Sequence, residues 1–192
     1  AKQKNCLYLH FTMRDNPSLT EKIIRRYESL YSGAFYKRFV EGKWVAAQGV
    51  VYPMFSEEIH VTVPPETDRF TRFFISCDYG TVNPCSFGLW GEYEKKWYRI
   101  REYYYDSRKI GEQRTDAEHY EELEKLADDL RIESVIVDPS AASFIQCIRR
   151  KGRFTVIPAK NDVVDGIRQV SDVLKQRVIY FSPECKDTLR EF

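Results

Sequence analysis

Two apolar runs of this chain stop on a carboxylate. Phe73-Phe74-Ile75-Ser76-Cys77 ends on Asp78, ahead of Tyr79-Gly80, and Ser134-Val135-Ile136-Val137 ends on Asp138, ahead of Pro139-Ser140. Both runs are rich in β-branched or aromatic residues and are bounded by turn residues, so each reads as a buried strand. The elements between and around them restrict the fold. Phe73 to Asp78, Ser86 to Glu92 and Lys96 to Asp106 read as three consecutive strands, and the tight link Gly91-Glu92-Tyr93-Glu94-Lys95-Lys96 makes the last two an antiparallel hairpin. Thr115 to Leu130 has Tyr120, Leu123, Leu126, Ala127 and Leu130 on one face and reads as an amphipathic helix.

Past Asp138, Ala142 to Lys151 reads as a helix stopped by Gly152, and Phe154 to Ala159 as a further strand. Asp162 can cap a helix over Val163 to Lys175, Val178 to Phe181 is extended again, and Pro183 to Phe192 starts a last helix. The order βββαβαβα predicts an α/β fold: a mixed sheet with helices on both faces. Upstream, Leu19, Ile23, Ile24, Tyr27 and Leu30 fall at helical spacing between a cap at Asn16 or Ser18 and a stop at Gly33. Extended segments are expected around Lys43 to Ala46 and Val50 to Phe55, and the loop holding Pro64-Pro65 predicts a boundary near residue 68, between segments 1–68 and 69–192.

Composition narrows the chemistry. A chain of 192 residues, 43% hydrophobic, can bury a full core. Its 30 Lys and Arg nearly cancel its 29 Asp and Glu, so any anion-binding surface must come from local clustering. The five cysteines include no CxxC pair, which predicts a reduced, cytoplasmic setting rather than a disulfide framework or a zinc site. No segment approaches the ~18–20 apolar residues of a membrane span, and the N-terminus lacks the pattern of a signal peptide. His10, His60 and His119 stand at no ligand spacing and read as surface or packing residues; no nucleophile motif is present.

If the strands ending on Asp78 and Asp138 are parallel neighbours joined by a right-handed crossover, the two carboxylates converge. Like charges that close repel unless a cation neutralises them, and hard oxygen ligands without His or Cys favour Mg²⁺ or Mn²⁺. Two such ions can serve phosphodiester chemistry. The plain alternative is that each Asp is a turn or cap residue. Asp162 and Asp165 are further candidate ligands, although Asp162 reads more simply as a helix cap. Arg149, Arg150, Lys151, Arg153 and Lys160 are candidate DNA contacts, the first three equally readable as a solvated helix end. Tyr104 and its neighbours Tyr103 and Tyr105 could stack on bases, but alternating burial in a hairpin strand explains them better.

These stretches, together with Ile157-Pro158-Ala159-Lys160-Asn161-Asp162 and the helix after it, resemble the C-terminal nuclease domain of the large terminase subunit of tailed bacteriophages. The N-terminal His10 to Thr20 and Tyr31 to Phe55 resemble the segment joining the packaging ATPase to that nuclease. The resemblance implies a ribonuclease H-like fold and a two-metal, Mg²⁺- or Mn²⁺-dependent endonuclease that cuts concatemeric double-stranded DNA by attack of water, leaving a 3′-hydroxyl and a 5′-phosphate. Asp78 and Asp138 match the family's first two acidic positions, with Asp78 bridging both ions and Asp138 binding one. The third lies in a His-x-x-Asp pattern that the resemblance places past Phe192.

It further implies an ATPase domain in the same parent chain, a small terminase subunit and a portal as partners, and action in the cytoplasm of the infected bacterium. No GxxxxGK[ST] occurs here, so the ATPase belongs to another region. Two other readings stay open. Cys77-Asp78-Tyr79-Gly80-Thr81 resembles the first phosphate loop of the actin and sugar-kinase fold, although Val135 to Phe144 supplies Pro and Ser where that fold needs a second glycine-rich loop. A non-catalytic DNA-binding or docking module is the other.

Overall fold

A two-residue link organises the first half of the sheet. Glu94 and Lys95 both adopt positive φ, 50° and 60°, between strands β2 (Cys85–Tyr93) and β3 (Lys96–Tyr105), which pair antiparallel from Tyr93↔Lys96 to Cys85↔Tyr105. This is the hairpin turn whose twist matches that of its strands. The structure is a computed structural model and describes residues 9–30, 36–43 and 51–192. It contains two compact units, Ala1–Pro53 and Met54–Phe192.

In the second unit β2 also pairs antiparallel with β1 (Arg72–Asp78), and β1 pairs parallel with β4 (Ile132–Val137). With β5 (Val156–Pro158) and β6 (Ile179–Phe181), the six strands run in the order β5-β4-β1-β2-β3-β6. The remaining pairings are parallel, so β2 alone runs against the other five. The parallel joins run through helices, as such crossovers require. These are α4 (Asp116–Ala127) between β3 and β4, α5 (Ala142–Lys151) between β4 and β5, and α6 (Val163–Lys175) between β5 and β6. Shorter helices are α2 (Glu57–His60), α3 (Ser107–Ile110) and α7 (Lys186–Arg190), while α1 (Glu21–Leu30) lies in the first unit.

The α/β mixed sheet predicted above is therefore the observed architecture. Alternation in β1 puts Phe73, Ile75 and Cys77 on the buried face, where they join Val135, Val137, Phe87 and Leu89. Tyr120, Leu123, Leu126 and Ala127 of α4 and Phe144, Ile145 and Ile148 of α5 belong to the same core. Thr115 starts α4 with a capping box: Glu118 Oε2 accepts from the Thr115 N–H at 2.7 Å, and Thr115 Oγ1 accepts from the Glu118 N–H. The opposite face carries the even-numbered residues of β1. There Glu102 of β3 accepts from the backbone N–H groups of Asp187 and Thr188 at 2.7 and 3.1 Å and from the Thr188 hydroxyl, holding α7 to the sheet.

The structure moves three expectations. The second unit begins at Met54 rather than near residue 68. Residues before the proline loop are tied to β6: Val61 bridges Phe181, the Thr62 N–H donates to the Phe181 carbonyl, Phe55 stacks on Phe192, and the buried His60 ring bonds the Leu174 carbonyl at 3.0 Å. In the first unit α1 starts at Glu21, later than its predicted caps, because Asn16 Oδ1 accepts from the Ser18 N–H in a local turn that competes with helix. Residues 51–55 form a turn rather than a strand, and most of the extended segment expected at Lys43 to Ala46 lies outside the described residues. The described cysteines, Cys77, Cys85, Cys147 and Cys185, are all unpaired.

Candidate metal centre

The ladder between β1 and β4 ends on Cys77↔Val137, so Asp78 and Asp138, the next residue of each, leave the sheet side by side at one edge. The period of two that sends Cys77 and Val137 into the core sends both aspartates to the other face. Their charges interact. Partial burial and then the Asp138 charge raise the Asp78 carboxyl above the ordinary aspartate value.

Asp138 is shifted the opposite way. Its Oδ1 accepts from the Ser140 N–H at 2.7 Å and its Oδ2 from the Asn161 amide at 2.9 Å. The Ser140 hydroxyl and N–H, with a smaller contribution from Asn161, hold its carboxyl below the ordinary value. When two neighbouring acids are pushed apart like this, the raised one takes up a proton first and the lowered one stays charged. The turn role considered for Asp138 is thus real, and it is compatible with ligation, because each carboxylate oxygen keeps a second lone pair.

Asp78 is positioned by the residues after it. The Tyr79 ring stacks on Phe144 at 4.5 Å and 7°, and its hydroxyl donates to Asp116 Oδ1 at the start of α4. Gly80 then turns so tightly that an added Cβ would lie 2.3 Å from the Asn83 carbonyl oxygen. The loop beyond is held from α3, whose Ser107 hydroxyl donates to the carbonyls of Thr81 and Val82 and whose Arg108 guanidinium donates to Asn83 Oδ1 at 2.8 Å.

The other predicted site residues separate. Asp162 caps α6, accepting from the Asp165 N–H at 3.0 Å, and Asp165 lies 3.8 Å from Arg168. Among the described residues no group of three or more acidic, His or Cys side chains gathers as metal ligands, so neither Asp162 nor Asp165 completes such a set with the pair. The basic residues divide as well. Lys151 lies over the Tyr120 ring at 5.4 Å; Arg153 donates to the Asp128 carbonyl, sits 3.7 Å from Glu124 and covers Phe154. Arg149 and Arg150, by contrast, line an open groove of about 590 Å³ with Pro139, Ala142, Ile145 and Pro158, beginning beside Asp138. Lys160 is exposed next to Asn161.

Sequence reasoning missed Asn161 and the Tyr79–Asp116 bond. Ser140 was legible as the turn partner of Asp138. Asn161 lies 23 residues from its acceptor, and no local pattern signals the contact. Two carboxylates with an amide beside them form a hard oxygen set, and a divalent cation bound there would offset the repulsion between the two charges.

No protein-family model matches the chain. It is 22% identical to the terminase large subunit of Escherichia phage T5, over 96% of this chain and 43% of that protein. The large terminase of a thermophilic bacteriophage, solved in complex with ADP, is 48% identical, with a TM-score of 0.71 over 96% of this chain and 46% of that one. The chain therefore spans less than half the length of either relative. The large terminase nuclease of thermophilic phage G20c, solved with bound cobalt, shares the fold at a TM-score of 0.52 and 14% identity, over 75% of this chain and 79% of that one. The chain is thus similar along nearly its whole length to large terminases, and its mixed six-stranded sheet, with two carboxylates at adjacent strand ends, shares its fold with a terminase nuclease.

Proposed function

We propose that the domain is the metal-dependent endonuclease of a viral DNA-packaging terminase and cuts concatemeric double-stranded DNA by phosphodiester hydrolysis. The observation that carries this reading is the placement of Asp78 and Asp138 side by side at the ends of neighbouring parallel strands. Asp78 and Asp138 would hold the cations, Mg²⁺ or Mn²⁺ by the hardness of their oxygens, and two ions by resemblance to the family. The cobalt in the G20c nuclease supports a divalent metal. Bound cations supply charge neutralisation at the phosphate and a lower pKa for a coordinated water.

The chain's own residues do the rest. Asp138, kept ionised by its donors, gives the site a standing negative charge, and Tyr79 holds the backbone of Asp78 against α4 and α5. Arg149, Arg150 and Lys160 would contact the DNA phosphates, whereas Lys151 and Arg153 are turned to their own ring and carboxylate neighbours. Such contacts position a duplex without reading its sequence. The first unit would be the connecting segment to an ATPase domain of the same parent chain. A small terminase subunit and a portal would direct cleavage in the cytoplasm of the infected cell.

The test is incubation with supercoiled plasmid and Mn²⁺ or Mg²⁺, with and without chelator. Nicking that needs metal and disappears in Asp78→Ala and in Asp138→Ala supports the enzyme. Plasmid binding without cleavage under every metal condition, by a chain that also carries the His-x-x-Asp segment, assigns a docking module instead.

A further inference from the structure

We propose that Asn161 is a positioning residue of the acid pair: by fixing the orientation of the Asp138 carboxylate it sets how tightly the pair holds a divalent cation. The inference rests on the metal-centre reading above. A carboxylate at a strand end can rotate about its last bond, and one hydrogen bond leaves that rotation partly open. Asp138 has two, on different oxygens: the Ser140 N–H on Oδ1 and the Asn161 amide on Oδ2. Together they define the plane of the group and leave one lone pair on each oxygen for a ligand.

The amide that does this is carried on a span tied at both ends. Two residues before it, the Ala159 N–H donates to the Val137 carbonyl at 2.8 Å, which carries the β4–β5 ladder up to the site. One residue after it, Asp162 caps α6 through the Asp165 N–H, and its carbonyl accepts from Gly166 at 2.9 Å. Asn161 itself is exposed and belongs to no core cluster. Among the described residues its side chain bonds to Asp138 alone. The fold therefore needs it little, and the site needs it more. The sequence pattern Lys160-Asn161-Asp162 invites attention to the acid, but the structure gives the acid to the helix and the amide to the centre.

Groups that orient metal ligands typically set about 10- to 100-fold in metal affinity. Titration of the protein with Mn²⁺ by calorimetry, without substrate, measures this directly. Asn161→Ala is expected to raise the Mn²⁺ dissociation constant about 10- to 100-fold while the thermal midpoint stays within about 1 °C. Asp162→Ala, in the same loop, is expected to do the reverse: a midpoint lower by about 2–4 °C from loss of the cap, and Mn²⁺ affinity within about twofold. Asn161→Ala with wild-type affinity, or with a midpoint loss like that of Asp162→Ala, overturns the positioning role and leaves the metal centre standing. A wild-type protein that binds no Mn²⁺, or whose binding survives both Asp78→Ala and Asp138→Ala, overturns the metal centre and this inference with it.

Discussion

Asp78 and Asp138 arrive at the same edge by different physics. Asp78 is set by packing: its strand is buried at alternate residues, the next side chain is stacked on Phe144, and among the described residues no donor reaches its carboxylate. Asp138 is set by hydrogen bonds from a loop and from a distant amide. One acid is therefore coupled to the stability of the core and the other is nearly independent of it. Stability and site chemistry can be perturbed separately on one side only.

The sharpest way to break that contrast is to cut the packing under Asp78. Phe144→Ala, at a fully buried ring between Tyr79 and Phe87, is expected to lower unfolding free energy by about 3–5 kcal/mol in urea denaturation. A loss below about 1 kcal/mol would show that the packed side is no more coupled than the other. Tyr79→Phe keeps the stack and removes only the hydroxyl donated to Asp116, so it should lose about 1–2 kcal/mol in the same measurement. Ser140→Ala touches only the Asp138 side, and its unfolding free energy should stay within about 0.5 kcal/mol of wild type.

The gentlest probe is pH. His119 is buried, bonded through Nδ1 to the Tyr103 hydroxyl and edge-on to Tyr79, and burial followed by the Arg114 charge lowers its pKa. The unfolded chain then binds a proton that the folded one refuses, so stability falls as pH drops through about 6.5 and levels off below the folded value. Thermal midpoints measured across that range should slope less in His119→Gln. An unchanged slope would place the titration elsewhere.

Much of this was readable in the residues. The apolar runs Phe73 to Cys77 and Ser134 to Val137 marked the two strands, and the order of elements between them permitted the parallel pairing that sets Asp78 beside Asp138. The helical stripe from Tyr120 to Ala127 marked the cover. These are local, periodic signals. What could not be read depends on contacts across the chain. Val61 pairs with Phe181, which pulls the residues before Pro64 into the second unit, and neither segment carries a pattern that names its partner. Asn161 is invisible for the same reason: an exposed amide acquires meaning only from the acid that folding sets beside it. The start of α1 was missed because a side chain outcompeted the backbone within three residues.

With β2 alone running against the rest, five strands finish in the same direction, and the segments leaving β1, β4 and β5 emerge together. Insertions or exchanges in those exit loops need not disturb the layers beneath, so such a scaffold can diverge heavily at its rim while its skeleton persists. That division of labour makes intelligible how a phage nuclease with 14% of the same letters still superimposes on this chain.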